Sequence, residues 1–179
     1  MTWTKRSQWI MYLGVAFCLH SCAIYSFSGA SLSADVKTFS IADFQSNVAL
    51  GPPDLAEQFA EALGKELLQR TALSQVESKG DIQFEGTIIQ FEYKPIAPTA
   101  ITKTATKKED QASRTRLTIT VQLNYINPKD PETAFSKKKF SQYEDVDADV
   151  STDDAEPDLV KKIFEKLIKD IFNASVASW

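Results

Sequence analysis

The chain has 179 residues, a length that suits one domain with a substantial core. Hydrophobic residues make up 43% of it and charged residues 25%, as in an ordinary globular protein, and the net charge of -4 gives no indication of nucleic-acid binding. One histidine and two cysteines leave little scope for metal or thiol chemistry.

The N-terminal segment has the organisation of a secretory signal peptide. Lys5 and Arg6 precede an uninterrupted apolar run, WIMYLGVAFCL, at Trp9–Leu19, and small or polar residues lead from it to Cys22. The run is shorter than the roughly 20 apolar residues that a membrane-spanning helix needs. The alternative is an N-terminal core helix. We predict that residues 1–21 are a signal peptide.

The residues just before Cys22 resemble the lipobox of bacterial lipoproteins. Leu19 stands three positions before the cysteine and the small Ser21 directly before it, while His20 departs from the usual pattern. The resemblance implies cleavage before Cys22 and acylation of its thiol and amine. Cys22 is therefore the predicted lipidation site, and residues 22–34 the predicted tether.

Cleavage at that point would change the chemistry open to the chain. The leader carries two basic residues and no acids, so its loss would make the net charge more negative by two units. It also contains the only histidine and the other cysteine. Catalysis by a Ser-His-Asp or Cys-His arrangement, and metal sites that use histidine or cysteine, are thereby excluded.

Residues 35–179 are expected to form a single domain that begins with a strand and a helix. Val36–Phe44 is rich in residues that favour strands. A helix running to about Arg70 is predicted by apolar residues that recur every four positions, Leu55, Phe59, Leu63 and Leu67.

Three further strands are expected. The strand that begins at Ile82 changes its apolar phase near Ile88–Ile89, which predicts a β-bulge. Arg114–Asn127 alternates regularly between apolar and polar residues, so this strand should have one dry and one wet face. Its dry positions are Leu117, Ile119, Val121, Leu123 and Tyr125. Phe135–Tyr143 is polar enough for an edge strand.

A second helix follows the acidic segment 144–158. Its apolar stripe consists of Val160, Ile163, Phe164, Leu167 and Ile171. The element order is therefore β-α-β-β-β-α. We predict an α+β fold in which two amphipathic helices pack on one face of a four-stranded mixed sheet.

Basic residues concentrate in three neighbouring segments of this acidic chain. They are Lys103, Lys107 and Lys108 in the polar segment 99–113, Arg114 and Arg116 at the start of the next strand, and Lys137, Lys138 and Lys139 in the strand after it. Gathered together, they would form a positive surface suited to phosphates. The alternative is that they are ordinary solubilising residues, since edge strands favour lysine.

Metal binding and catalysis have weaker support. The acidic residues Asp145, Asp147, Asp149, Asp153 and Glu156 have the spacing of a calcium loop. However, Val150 occupies the position where such a loop requires glycine, so a solvated acidic loop is the preferred interpretation. Glu85 and Glu92 could serve a carboxylate-based hydrolase, but no second motif supports this. We predict no enzyme activity, no metal and no cofactor.

Several stretches of the chain resemble the LptE family, in its Bacteroidetes branch. They are CAIYSFSGASLS after the lipobox, GDIQFEGTIIQFEYKP, RLTITVQLNYIN and the C-terminal IFNASVASW. The resemblance covers the whole mature chain. It implies a fold of two helices against a four-stranded sheet, in agreement with the order read from the periodicity.

The same resemblance implies a function. Members are outer-membrane lipoproteins that face the periplasm, plug the large β-barrel LptD and assemble lipopolysaccharide with it. The eight basic residues then become candidates for contacts with lipopolysaccharide phosphates. The alternative is a free-standing periplasmic lipoprotein that binds a small ligand or glycan.

Overall fold

The longer elements follow the predicted order, and two short strands are added to them. The computed structural model describes residues 32–42, 44–96, 114–147 and 149–177. The elements are β1 (Thr38–Ile41), β2 (Gln45–Ser46), α1 (Leu55–Arg70), β3 (Ser74–Gln75), β4 (Ile82–Ile96), β5 (Arg114–Ile126), β6 (Phe135–Asp147) and α2 (Thr152–Ser175). The predicted leader and tether, including Cys22, lie outside the described residues except for residues 32–34.

The prediction of a four-stranded sheet was wrong, because the sheet has six strands. The two unexpected ones, β2 and β3, contain two residues each and are too short to show an alternating pattern. The predicted first strand, Val36–Phe44, is shorter than expected. Phe44 is buried, and its ring lies 5.3 Å from that of Phe59 on α1.

The sheet is mixed, as predicted. Its strand order is β3-β1-β4-β5-β6, and β2 also pairs with β4. The short strands β1, β2 and β3 run parallel to their partners, whereas β4–β5 and β5–β6 are antiparallel. The three long strands therefore form a meander, and the short parallel strands extend it on the β4 side.

The predicted bulge in β4 is confirmed. Ile88 lies opposite Val121, and Gln90 lies opposite the next residue of β5, Thr120, so Ile89 has no partner. The extra residue reverses the alternation of β4. Phe84 and Phe91 therefore both point to the buried face although seven positions separate them.

A single hydrophobic core joins the helices to one face of the sheet. All the predicted apolar positions of α1, α2 and β5 are buried. The helices meet where the rings of Phe59 and Phe164 pack edge to face, 5.0 Å apart. Within the described residues, neither helix is both long and apolar enough to cross a membrane.

Asp81, the residue directly before β4, holds the start of the domain in place. Its Oδ2 accepts hydrogen bonds from the backbone amides of Lys37 and Thr38, at 2.9 and 3.0 Å. The ammonium of Lys129 lies 2.9 Å from its Oδ1 and also donates to the carbonyl of Asp35. The amide of Lys37, followed by Lys129, holds the pKa of Asp81 well below its usual range. The entry to β1 is thus tied to the turn after β5.

The open face of the sheet as candidate functional site

The face of the sheet opposite the helices carries a continuous polar surface, which we call the open face. The antiparallel register aligns side chains of β4, β5 and β6 in rows across it. These rows are Lys94–Arg116–Asp145, Glu92–Thr118–Tyr143, Gln90–Thr120–Ser141 and Thr87–Gln122–Lys139. The wet face predicted for β5 is therefore one strip of a wider polar surface.

Hydrogen bonds and an ion pair connect side chains of three adjacent rows of the open face. The hydroxyl of Thr120 donates to Gln90 Oε1 and also contacts Ser141 Oγ, both at 2.9 Å. Gln90 donates to Glu92 at 2.8 Å, and the ammonium of Lys94 lies 2.9 Å from the same carboxylate. Lys94, followed by Gln90, lowers the pKa of Glu92. This network fixes the side-chain positions before any partner binds.

Arg116 forms the strongest charged contact of the open face. Its Nε and Nη2 donate to the two oxygens of Asp145, at 2.7 and 3.0 Å. Its guanidinium also stacks 3.6 Å from the centre of the Tyr143 ring. Arg116 lowers the pKa of Asp145, and Asp145 raises the pKa of Arg116. In the adjacent row, Arg114 pairs with Asp147 at 3.0 Å.

The structure places the predicted basic residues at two ends of the open face. Arg114 and Arg116 stand at the start of β5 and are paired with acids. Lys139 lies opposite Gln122, six positions along β6 from Asp145, so about 20 Å separates it from the Arg116 row. The predicted residues Lys103, Lys107 and Lys108 lie outside the described residues.

Lys137 and Lys138 differ from the other basic residues, the first in its backbone conformation and the second in the face of the sheet it occupies. Lys137 occupies a bulge and has a positive φ of 53°. Lys138 lies opposite the buried Leu123, and its ammonium is 4.9 and 5.4 Å from the rings of Phe135 and Phe140. Lys138 therefore belongs to the helix side of the sheet, away from the other basic residues. Whether any of these residues binds lipopolysaccharide stays a prediction.

The sequence pattern did not predict the acidic partners of the two arginines, Asp147 and Asp145. Asp145 and Asp147 were placed in an acidic loop, whereas β6 continues to Asp147. The signal was present, because Tyr143, Asp145 and Asp147 alternate with the buried Val146. Among the described residues, no group of histidine, cysteine or acidic side chains is arranged to hold a metal ion.

The register also bears on the hydrolase hypothesis. The bulge brings Glu85 and Glu92 to the same face, opposite Asn124 and Thr118 of β5. Six residues of an extended strand separate these partners, about 20 Å. Paired catalytic carboxylates of glycosidases lie roughly 5 to 9.5 Å apart. Glu85 and Glu92 are therefore too distant to act as such a pair.

Comparisons with solved structures find proteins of related shape at low sequence identity. The protein CT253 from Chlamydia trachomatis has a TM-score of 0.47 and 7% identity, over 78% of this chain and 97% of that one. A minor lipoprotein from Acinetobacter baumannii has a TM-score of 0.43 and 12% identity, over 75% and 88%. Lipoprotein B from Nitrosomonas europaea has a TM-score of 0.45 and 9% identity, over 76% and 79%.

The family comparison is more informative than these distant similarities. No curated protein matches the sequence. The family model described as LptE, lipopolysaccharide-assembly, matches residues 36–175, which include every helix and strand described above. The resemblance noted in the sequence is thereby confirmed at the level of the family. This chain belongs to the LptE family of lipopolysaccharide-assembly proteins.

Proposed function

We propose that this chain is an outer-membrane lipoprotein that plugs an LptD-type β-barrel and, together with the barrel, assembles lipopolysaccharide at the outer membrane. The observation that carries the proposal is the family match over residues 36–175. The role is one of binding and positioning, without enzyme activity. The Bacteroidetes branch of the family is the origin that we expect.

The polar character of the open face is compatible with a position inside a barrel. The interior of a transmembrane β-barrel is polar and filled with water, whereas its outer surface is apolar. The open face carries hydroxyl, amide and charged groups, and its charged side chains Arg116 and Glu92 are paired within the chain. Such a face can lie in a wet lumen, where water solvates the charged groups that have no partner within the described residues.

The proposed anchor lies at a defined end of the domain. Nine residues lie between the predicted lipidation site, Cys22, and the first described residue, Leu32, so the ten steps of chain can span at most about 36 Å. The chain then enters β1 at the cluster of Asp81 and Lys129. The end of the sheet where β4 begins and β5 ends should therefore face the periplasmic surface of the outer membrane. The start of β5 should lie farther from that surface.

Isolation of the chain from native outer membranes tests the partnership. We expect a tagged full-length chain to co-purify with a large barrel protein that migrates differently on gels with and without heating. A lipoprotein recovered without any barrel would contradict the proposal and favour the free-standing alternative.

Crosslinking separates a plug from a protein that docks on one side of the barrel. A photo-crosslinking residue would replace Gln122 on the open face or Lys162, which is exposed on α2. A plug is surrounded by the barrel wall, so both positions should crosslink to the barrel. Crosslinks from only one of the two positions would keep the partnership but contradict the plug.

A further inference from the structure

A shallow depression of about 350 Å³ lies on the open face, beyond the end of the hydrogen-bonded network. It extends from the interruption between β1 and β2, across β4 and β5, to the bulge of β6. Its lining consists of Ala42, Gln45, Glu85, Gly86, Thr87, Gln122, Asn124 and Lys137.

One wall of the depression is a strained bulge. Two residues of β6, Ser136 and Lys137, lie opposite the single residue Asn124 of β5. The side-chain oxygen of Asn124 accepts hydrogen bonds from the amide of Lys137 at 2.8 Å and the hydroxyl of Ser136 at 3.1 Å. Lys137 thereby keeps a φ of 53°, which is unfavourable for a residue with a Cβ. Bulges of this kind redirect side chains beside binding sites.

The polar side chains of the depression differ from those of the neighbouring network in their hydrogen bonding. Gln90, Glu92 and Thr120 use one another as hydrogen-bond partners. In contrast, the side chains of Glu85 and Gln122 make no hydrogen bond with any group in the part of the chain that the structure describes. Their donors and acceptors are available to a ligand.

The chemistry of these groups indicates what would bind. Glu85 and Lys137 carry opposite charges, so the depression has no net charge that would favour a simple ion. Gln45 and Gln122 supply amides that both donate and accept, the amide nitrogen of Asn124 can donate, and Thr87 supplies a hydroxyl. A ligand that matches this mixture has many donors and acceptors around its rim and little apolar surface.

We propose that this depression binds one sugar unit through its hydroxyl groups. Glu85 accepts hydrogen bonds from sugar hydroxyls, Lys137 donates to them, and the amide of Gln122 does both. The inference goes beyond the proposed function and does not rest on the barrel partner, because every residue involved belongs to this chain. The sugar can be part of a glycolipid or a free saccharide, since both present the same hydroxyls.

The first test is a titration of the purified full chain in detergent, followed by NMR of its backbone amides. The probes are glucose, galactose and N-acetylglucosamine, lipopolysaccharide freed of its acyl chains, and inorganic phosphate. We expect at least one free sugar or the deacylated glycan to shift the amides of residues 85–87, 122–124 and 137. Shifts with the glycan alone would identify a glycolipid as the source, and shifts with a free sugar would identify a saccharide site.

Two variants test the assignment. Gln122→Ala should weaken sugar binding by about tenfold, while Gln83→Ala, on the same face but outside the depression, should leave it unchanged. Lys137→Gly should relieve the positive φ and raise the thermal stability, yet it should weaken sugar binding. A gain in stability with loss of binding would show that Lys137 serves the ligand at a cost in stability.

Clear results would overturn the inference. No shift with any sugar or with the deacylated glycan would refute it. Binding of inorganic phosphate that displaces the sugar would identify an anion site in its place. Because the titration contains no barrel protein, its failure is distinguishable from a failure of the barrel co-purification.

Discussion

The guanidinium of Arg116 holds the carboxylate of Asp145 by two hydrogen bonds, of 2.7 and 3.0 Å, across the β5–β6 pair. One of the residues expected to bind lipopolysaccharide phosphates thus already has an anionic partner within the chain. The contact is made at two points, as in the strong pairs that arginine forms with carboxylates. Its two partners are 29 positions apart in the sequence.

This pair should make the stability of the domain depend on acid pH. The pKa of Asp145 is lower in the folded chain than the value of about 3.9 expected in the unfolded chain. Its contribution is therefore present above that value and is lost as the pH falls through the folded pKa. We expect Asp145→Asn to lower the urea midpoint at pH 7 more than at pH 3. Glu132→Gln, in the exposed turn after β5, is the control, and an equal loss at both pH values would contradict the prediction.

Lipopolysaccharide binding should depend on the lysines more than on the arginines. Arg116→Gln combined with Asp145→Asn removes two opposite charges, so we expect binding to change little. Lys137→Gln combined with Lys139→Gln removes two positive charges and should weaken binding by about fivefold at low salt. The effect should shrink at higher salt, because charges are screened within about 8 Å at physiological ionic strength.

The measurement is lipopolysaccharide binding to the purified complex at two salt concentrations, with barrel co-purification as the assembly control. A larger loss from the arginine double variant would show that the ion pair opens to bind phosphate. Lost assembly in the lysine variant would place those residues against the barrel wall.

Gly86 should tolerate no side chain. A Cβ at this position would lie 2.3 Å from Phe44 Cε1, and Phe44 is held in the core against Phe59. We expect Gly86→Ala to reduce the free energy of unfolding by about 1–3 kcal/mol, the usual cost of overpacking. Urea unfolding provides the measurement.

Gly64, in the middle of α1, is the matched control. A Cβ there would lie 3.3 Å from the flexible side chain of Gln75, so a small displacement makes room. Because alanine favours a helix more than glycine by up to about 1 kcal/mol, Gly64→Ala should be neutral or stabilising. Similar losses from the two variants would contradict the role assigned to Phe44.

Asp81 should hold the entry to the domain. Asp81→Asn removes the carboxylate that accepts hydrogen bonds from the amides of Lys37 and Thr38 and forms an ion pair with Lys129. We expect the amide hydrogens of residues 37 and 38 to exchange about tenfold faster, with little change in the core of β5. Uniform acceleration throughout the domain would instead show a global loss of stability.

Anchoring of the protein to the membrane should require Cys22 but not Cys18. Several acyl chains hold a protein firmly, each buried CH₂ contributing about 0.8 kcal/mol. Cys22→Ala should therefore leave the chain soluble or as an uncleaved precursor, whereas Cys18→Ala should change nothing. Membrane fractionation and the mass of the mature chain provide the measurement. Normal processing and retention of the Cys22→Ala variant would refute the lipobox interpretation.

Much of the fold could be predicted because long elements repeat their pattern many times. The stripe of α2 and the alternation of β5 each span several turns or pairs, and both match the buried positions. The phase change at Ile88–Ile89 located the bulge for the same reason. The two-residue strands β2 and β3 contain no repeat, so only their pairing with β1 and β4 reveals them.

The candidate site was less predictable than the fold. The sequence alone identified the polar strip of β5, the concentration of basic residues and the family. It could not show that Arg116 lies opposite Asp145, that Lys139 lies about 20 Å from that pair, or that Lys137 is turned by a bulge toward Glu85 and Gln122. These relations depend on the register between strands, which is set by packing of the whole sheet against the helices. Local patterns decide which residues form a strand, whereas the tertiary structure decides which residues meet across it.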